Sequence, residues 1–175
     1  PGDGIGPEVI RATTRVVDAL NLDIVWDKHE AGGDVFDRTG EALPQATLDS
    51  IRQNKVALKG PLTTPSSAGF RSVNVRLRQS LDMFANFRPA RSVEGIKSRY
   101  EDVDLIVVRE NTEGLYSGLE HEVVPGVVES LRIVTEHASR RVVRFAFHIA
   151  KQYGKRRVTA VHKAKILKKS DGLFL

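Results

Sequence analysis

The sequence predicts an α/β fold, and three observations carry that reading. Segments with apolar residues at helical spacing alternate with segments that read as strands. The run DVDLIVVREN, residues 102–111, holds a continuous apolar core of the kind found in a sheet covered on both faces. No internal repeat and no low-complexity linker interrupts the alternation.

Taken in order, PGDGIGPEVIRATTRVVDALN reads as a glycine turn entering a helix. Pro7 suits the first helical position, where its missing N–H costs nothing, and Val9, Val16, Val17 and Leu20 fall on one face. DIVWDKHE, 23–30, reads as a short strand. LPQATLDSIRQNK, 43–55, is a helix opened by Pro44, and VALKG, 56–60, a strand ending at a glycine. A helix follows Ser72, with Val73, Leu77 and Leu81 as its apolar stripe at i, i+4 and i+8. MFANFRP, 83–89, and the 102–111 run are strands, and GVVESLRIVTEH, 126–137, alternates and is extended. From about His137 to Tyr153 the period is helical. Val142, Ala146, Ile149 and Tyr153 share a face, and Gly154 stands just past the end. RRVTAVHK, 156–163, reads as a strand, with a helix beginning near Ala164.

The 175 residues suffice for one domain or two small ones, and 41% hydrophobic content is ordinary for a globular chain. With no cysteine there is no disulfide framework and no thiolate chemistry, which fits a reducing compartment. No apolar run approaches the ~20 residues of a membrane span, and the start lacks the order of a signal peptide. The net charge of +5 admits nucleic acid, acidic membranes or small polyanions as partners. Two features speak against nucleic acid: the basic residues near the end interleave with apolar positions, and only 6% of the chain is aromatic. Pro1 leads straight into the glycine turn, and the final SDGLFL reads as the interior of an element, so a fragment is expected.

Gly2, Gly4 and Gly6 form G-x-G-x-G, which is not the dinucleotide fingerprint G-x-G-x-x-G and reads instead as a tight turn. The stretch FRSVNVRLRQSLDMFANFRPAR, 70–91, is the richest in anion-binding groups. Asn74 and Arg78 lie four apart on one flank of the helix and can hold one ligand together. Arg76 lies at a similar angle on the other flank, so periodicity does not choose between the two arginines. Ser72 reads first as an N-cap and only second as a ligand. Arg88 follows a strand, and Arg109 closes another at the end where α/β sheets gather ligands. Cationic pairs at ~6 Å repel by roughly 3 kcal/mol at an effective dielectric of 20, so a cluster of Arg78, Arg88 and Arg109 makes sense only around a polyanion. Tyr116 and Lys163 are the candidate proton carriers. The five histidines show no metal-ligand spacing, and neither G-x-S-x-G nor a P-loop occurs.

PGDGIGPEV, KGPLTTP, SVNVRLRQSLDMFANFRP, RENTEGLYSGLEH and TAVHKAKILKKSDGLFL stand in an order and spacing that resemble the β-decarboxylating (isocitrate/isopropylmalate) dehydrogenases. The resemblance covers essentially the whole chain and is nearest to NAD-type isocitrate dehydrogenase. RENTEGLYSGLEH favours isocitrate over isopropylmalate enzymes, while homoisocitrate dehydrogenase shares RENTEGLY. The resemblance implies that family's fold rather than a Rossmann fold. Residues 1–83 would be the N-terminal part of the large domain. Residues 84–175 would form most of the small domain, with a dimer clasp arm near 114–135. It further implies that Ser72, Asn74, Arg78, Arg88 and Arg109 bind substrate carboxylates and that Thr63 touches the cofactor. Tyr116 would protonate the enolate left by decarboxylation; a neighbouring cation suits this, because it stabilises the phenolate left behind. Lys163 would assist removal of the hydroxyl proton, reaching in from the neighbouring subunit.

The implied cofactors are NAD (or NADP) with Mg2+ or Mn2+, acting on isocitrate or a related 2-hydroxy di- or tricarboxylate. A homodimer or hetero-oligomer with shared sites is implied, with no nucleic-acid or membrane partner, in the cytoplasm of a bacterium or the mitochondrial matrix of a eukaryote. The alternatives are homoisocitrate or 3-isopropylmalate dehydrogenase, or a non-catalytic regulatory subunit. Two departures stand out. Lys165 in HKAKIL occupies the place of the asparagine in the family's HKANIM, and lysine can donate but cannot accept. The family's metal-binding aspartates and most of its adenosine-binding segment would lie downstream of Leu175, so the fragment by itself is expected to be inactive.

Overall fold

The computed structural model describes residues 1–63 and 72–175; Thr64, Pro65, Phe70 and Arg71 of the stretches above lie outside the described residues. The chain divides into two units, Pro1–Asp82 and Met83–Leu175.

The first unit is built of helices. Helix α1 spans Gly6–Asp18 with Pro7 in its first turn, and α2 spans Gly33–Thr39. Helix α3 is Gln45–Asn54, capped by Pro44, and α4 is Val73–Ser80, with Ser72 at the N-cap position. The stripe expected on α4 is real. Val73 and Leu77 are buried with Ala42, Leu43 and Leu48, and Leu81, Ile51, Ala31 and Leu62 pack around them. The apolar face expected of α1 is not covered, since Val9, Val16 and Leu20 are exposed. Residues 23–30 and 56–60 are irregular rather than strands. An extended segment becomes a strand only when a second strand takes its N–H and C=O groups in a ladder, and no strand pairs with either segment among the described residues. Val25 and Val56 accordingly stand 91% and 80% exposed.

The second unit holds two antiparallel pairs. Strands β1 (Ala85–Arg91) and β2 (Asp104–Glu110) pair in register from Ala85 opposite Glu110 to Arg91 opposite Asp104. Strands β3 (Gly114–Val124) and β4 (Val127–Ile133) form a hairpin. Its turn places Pro125 before Gly126, whose φ of 82° is the left-handed angle a type II turn needs. Helix α5, Glu136–Gln152, packs on β2 and on the short α6, Ser170–Phe174.

Helix α5 buries Val142 and Ile149 as the spacing predicts, and Gly154 follows its end at a φ of 62°. Phe145 meets Phe84 edge-on at 5.9 Å, and Tyr153 meets Phe87 at 5.5 Å. Coverage of β2 on both faces is not found: its partner is antiparallel, and Leu105 and Val107 stay about half exposed. Residues 156–163 are not a strand, with Val161 88% exposed. Turns follow Ala164, and the helix starts later, at Ser170.

Candidate active site

In the first unit the glycine turn is organised by Asp3, a residue the sequence reading passed over. Its side chain is 3% exposed and accepts hydrogen bonds from the N–H of Gly33 (2.7 Å) and of Thr63 (2.5 Å). Burial works to raise its pKa. The hydrogen bonds from Thr63 and Gly33 outweigh this and hold the carboxyl below its usual range. Gly2, at a φ of 81°, lies against Pro61 so closely that a Cβ there would collide with the Pro61 carbonyl. Thr63 is therefore fixed at the mouth of the turn, and its hydroxyl lies 3.7 Å from where a Cβ on Gly4 would be.

Ser72, Asn74 and Arg78 sit at the start and along the flank of α4. Ser72 occupies the N-cap position without a side-chain capping bond, so the N-cap reading has the right place and lacks its hydrogen bond. The two arginines that periodicity left equivalent are distinguished by a neighbour, Lys59. Burial first, and then the charge of Arg78, push the Lys59 ammonium below its ordinary value, against the pull of Asp3. Lys59 lies near the end of a segment that reads as a plain strand, and the motif it opens, KGPLTTP, was read only for Thr63.

In the second unit, register decides which arginines meet. Arg109 pairs with Asn86 and Arg88 with Val107. Directly opposed residues share a face, and residues two apart on a strand do too. Arg88 and Arg109 thus lie diagonally on one face, with backbones about 7–8 Å apart. The Nε of Arg88 donates to Asn86 at 2.8 Å. Arg109 donates from Nη2 to Asn111 at 3.1 Å, and its guanidinium stacks 5.4 Å from the centre of the Tyr116 ring. Its Nε is buried with no hydrogen-bond partner among the described residues. A buried cationic donor left open beside a phenol is suited to an incoming carboxylate.

The polar residues between Arg109 and Tyr116 hold the connecting loop. Glu110 accepts from the N–H of Thr112 (3.0 Å), its hydroxyl (2.6 Å) and the N–H of Glu113 (2.8 Å). Glu113 accepts from Thr135, through the N–H at 3.0 Å and the hydroxyl at 2.7 Å. Asn111 is buried and receives its place from Phe84, whose carbonyl takes the Asn111 N–H at 2.8 Å.

Lys163 is exposed, and its ammonium has no ion pair among the described residues. Its backbone, by contrast, is held: the N–H donates to Oδ2 of Asp171 at 2.5 Å, and the carbonyl accepts from Ile166 and Leu167 at 2.9 Å each. Asp171 is 4% exposed and paired with Arg132. The hydrogen bond from Arg132 and then that from Lys163 hold its carboxyl below the usual range, against desolvation. Lys165 is exposed on the turn that follows. Among the described residues no cluster of three carboxylates or imidazoles fits a metal ion. No helix among them is long and apolar enough to cross a membrane.

Within the second unit, Arg88 and Arg109 on one face of the β1–β2 pair, with the Tyr116 ring against the Arg109 guanidinium, make a candidate anion site beside a phenol. The chain belongs to the isocitrate/isopropylmalate dehydrogenase family, whose sequence model matches residues 1–175. It is 53% identical, over its full length, to a chloroplastic 3-isopropylmalate dehydrogenase of Solanum tuberosum, covering 49% of that protein. It is also 53% identical over its full length to catalytic subunit 5 of the mitochondrial NAD isocitrate dehydrogenase of Arabidopsis thaliana, covering 47%. The crystal structure of isocitrate dehydrogenase from Methylococcus capsulatus superposes with a TM-score of 0.94 at 49% identity, over 99% of this chain and 52% of that one. The chain thus spans about half the length of the curated relatives it matches. The fold is the α/β fold of this family, and the family is one of oxidoreductases.

Proposed function

We propose that this chain carries the substrate-binding and proton-transfer residues of an NAD-dependent isocitrate dehydrogenase. The observation that carries the reading is Arg109, with its buried open Nε and its guanidinium stacked on Tyr116. Ser72, Asn74 and Arg78 in the first unit, and Arg88 and Arg109 in the second, are the proposed carboxylate ligands. Rigid arginine forks lower the entropy of presenting a flexible tricarboxylate. Thr63 is proposed for the nicotinamide end of the cofactor, which when bound supplies a hydride acceptor for the hydroxyl-bearing carbon. Lys163 assists loss of the hydroxyl proton, and Tyr116 gives its phenolic proton to the enolate carbon once carbon dioxide has left. The phenolate so formed lies beside the Arg109 cation.

Residues 1–83 are proposed as part of the family's large domain and 84–175 as most of its small one. The hairpin near 114–135 is the proposed clasp on a second subunit. A divalent metal would have to be held by residues other than those described. Equal identity to relatives named for two substrates leaves 3-isopropylmalate as the second reading. Lys165 favours a third, a regulatory subunit, since it cannot accept a hydrogen bond where an asparagine can.

The test is NADH formation by the full-length protein with isocitrate, homoisocitrate and 3-isopropylmalate, each with NAD and with NADP. Isocitrate with NAD is expected to give the highest kcat/KM, and Tyr116→Phe to lower kcat by about 100-fold or more. Preference for isopropylmalate, or full activity in Tyr116→Phe, would sink the reading. Activity only when a partner subunit is added would move it to the regulatory one.

A further inference from the structure

Lys163 presents an exposed side chain from a position whose backbone N–H and C=O are both hydrogen-bonded. The carbonyl is taken by Ile166 and Leu167, and the N–H by Asp171. Asp171 is the residue to explain. A carboxylate 4% exposed is costly unless every oxygen is used. Here Oδ1 takes the Arg132 guanidinium and Oδ2 the Lys163 N–H, so the burial is compensated by these two partners. The bond to Lys163 spans 8 residues and the bond to Arg132 spans 39, so the carboxylate joins segments distant in sequence. Arg132 is the second-last residue of β4, at the root of the hairpin, and Asp171 lies in the first turn of α6.

We propose that Asp171, oriented by Arg132, is a positioning residue for Lys163, fixing the turn from which the lysine's ammonium is presented and tying that turn to the root of the β3–β4 hairpin. The inference rests on the role proposed above for Lys163. A long, flexible side chain reaches a reacting hydroxyl reproducibly only if its Cα is held, and a displacement of about 1 Å can cost roughly 100-fold in rate. The other polar groups of the turn do not substitute for the carboxylate. His162 is engaged with the Ala164 N–H at 3.1 Å, and no other acceptor for the Lys163 N–H is found among the described residues.

The experiment compares Asp171→Asn, Arg132→Met, the double variant and Lys163→Met in the full-length protein, by steady-state kinetics and by hydrogen exchange at the Lys163 amide. The expected result is a 10–100-fold fall in kcat for Asp171→Asn, with KM for the hydroxy acid little changed, and exchange at that amide at least 10-fold faster. Arg132→Met should act in the same direction and add little to Asp171→Asn, because both remove one arrangement. Arg132→Lys, which keeps a cation, should recover part of the rate. A purely structural role would instead lower folded protein and thermal stability with kcat per folded molecule unchanged, and that result overturns the proposal. So does an unchanged amide. If Lys163→Met retains full turnover, the lysine's role fails first; exchange at the amide then reports separately whether Asp171 holds the turn.

Discussion

Asp3 and Gly33 stand thirty positions apart, and Thr63 a further thirty, yet one carboxylate holds both backbones. Replacing Asp3 by Asn turns one acceptor oxygen into an NH2 that must face an N–H donor. The expected loss is about 2 kcal/mol, read by urea unfolding at pH 7. The sign of its pH dependence follows from the same bonds. The folded carboxyl titrates below its ordinary 3.8, so its stabilisation is complete above that value and disappears as pH falls through the folded value. Asp3→Asn should therefore flatten part of the loss of stability below about pH 4; an unchanged acid limb would show that Asp3 is not the pin. Nothing in GDGIG betrays this, because a buried aspartate between glycines looks like an ordinary turn residue. Tyr116 and Lys163 were no more visible from their own neighbours. They stood out only through long motifs that resemble a family; Lys59 and Asp171 lie inside two of those motifs, KGPLTTP and TAVHKAKILKKSDGLFL, but no periodicity or spacing gave either a role of its own.

At the scale of elements, α3, α4 and α5 and the strands β1, β2 and β4 were legible in the sequence, whereas α2 was missed and three of the segments read as strands are irregular. A helix satisfies its own backbone, so the periodicity of α3, α4 and α5 was enough to find them. A strand needs a neighbour, and the patterns at 23–30, 56–60 and 156–163 match those of real strands but lack partners among the described residues. The end of α5 shows how an element positions the site. Thr135 caps it by accepting from the Ala138 N–H at 3.1 Å, while its hydroxyl donates to Glu113 at 2.7 Å. The cap thus also anchors the loop between Arg109 and Tyr116. Thr135→Ala should cost about 1–2 kcal/mol in thermal or urea unfolding. Thr135→Ser, which keeps the hydroxyl, should recover most of it. Equal losses in both variants would mean that methyl packing rather than the cap is responsible.

For the whole molecule, the same unpaired segments set how the chain behaves alone. Val25, Val56 and Val161 are each at least 80% exposed, and Val16 on α1 and Leu20 just beyond its end are exposed as well. Apolar surface of this kind, beside backbone groups with no ladder partner, is a template for association. The 175-residue chain in isolation is therefore expected to bind a hydrophobic dye and to sediment as species that grow with micromolar concentration. Amides at 56–60 and 158–161 should exchange with little protection, while those of β1 and β2, which pair along their whole length, should be slow. A longer polypeptide that supplies pairing strands should slow exchange at 56–60 and 158–161 and abolish dye binding together, since one set of hydrogen bonds would close both. Strong protection of those amides in the chain alone would contradict the exposed arrangement and would mean that they already pair, with a second copy as the available partner. Concentration dependence separates the cases: protection through a second copy fades on dilution, and protection within one chain does not.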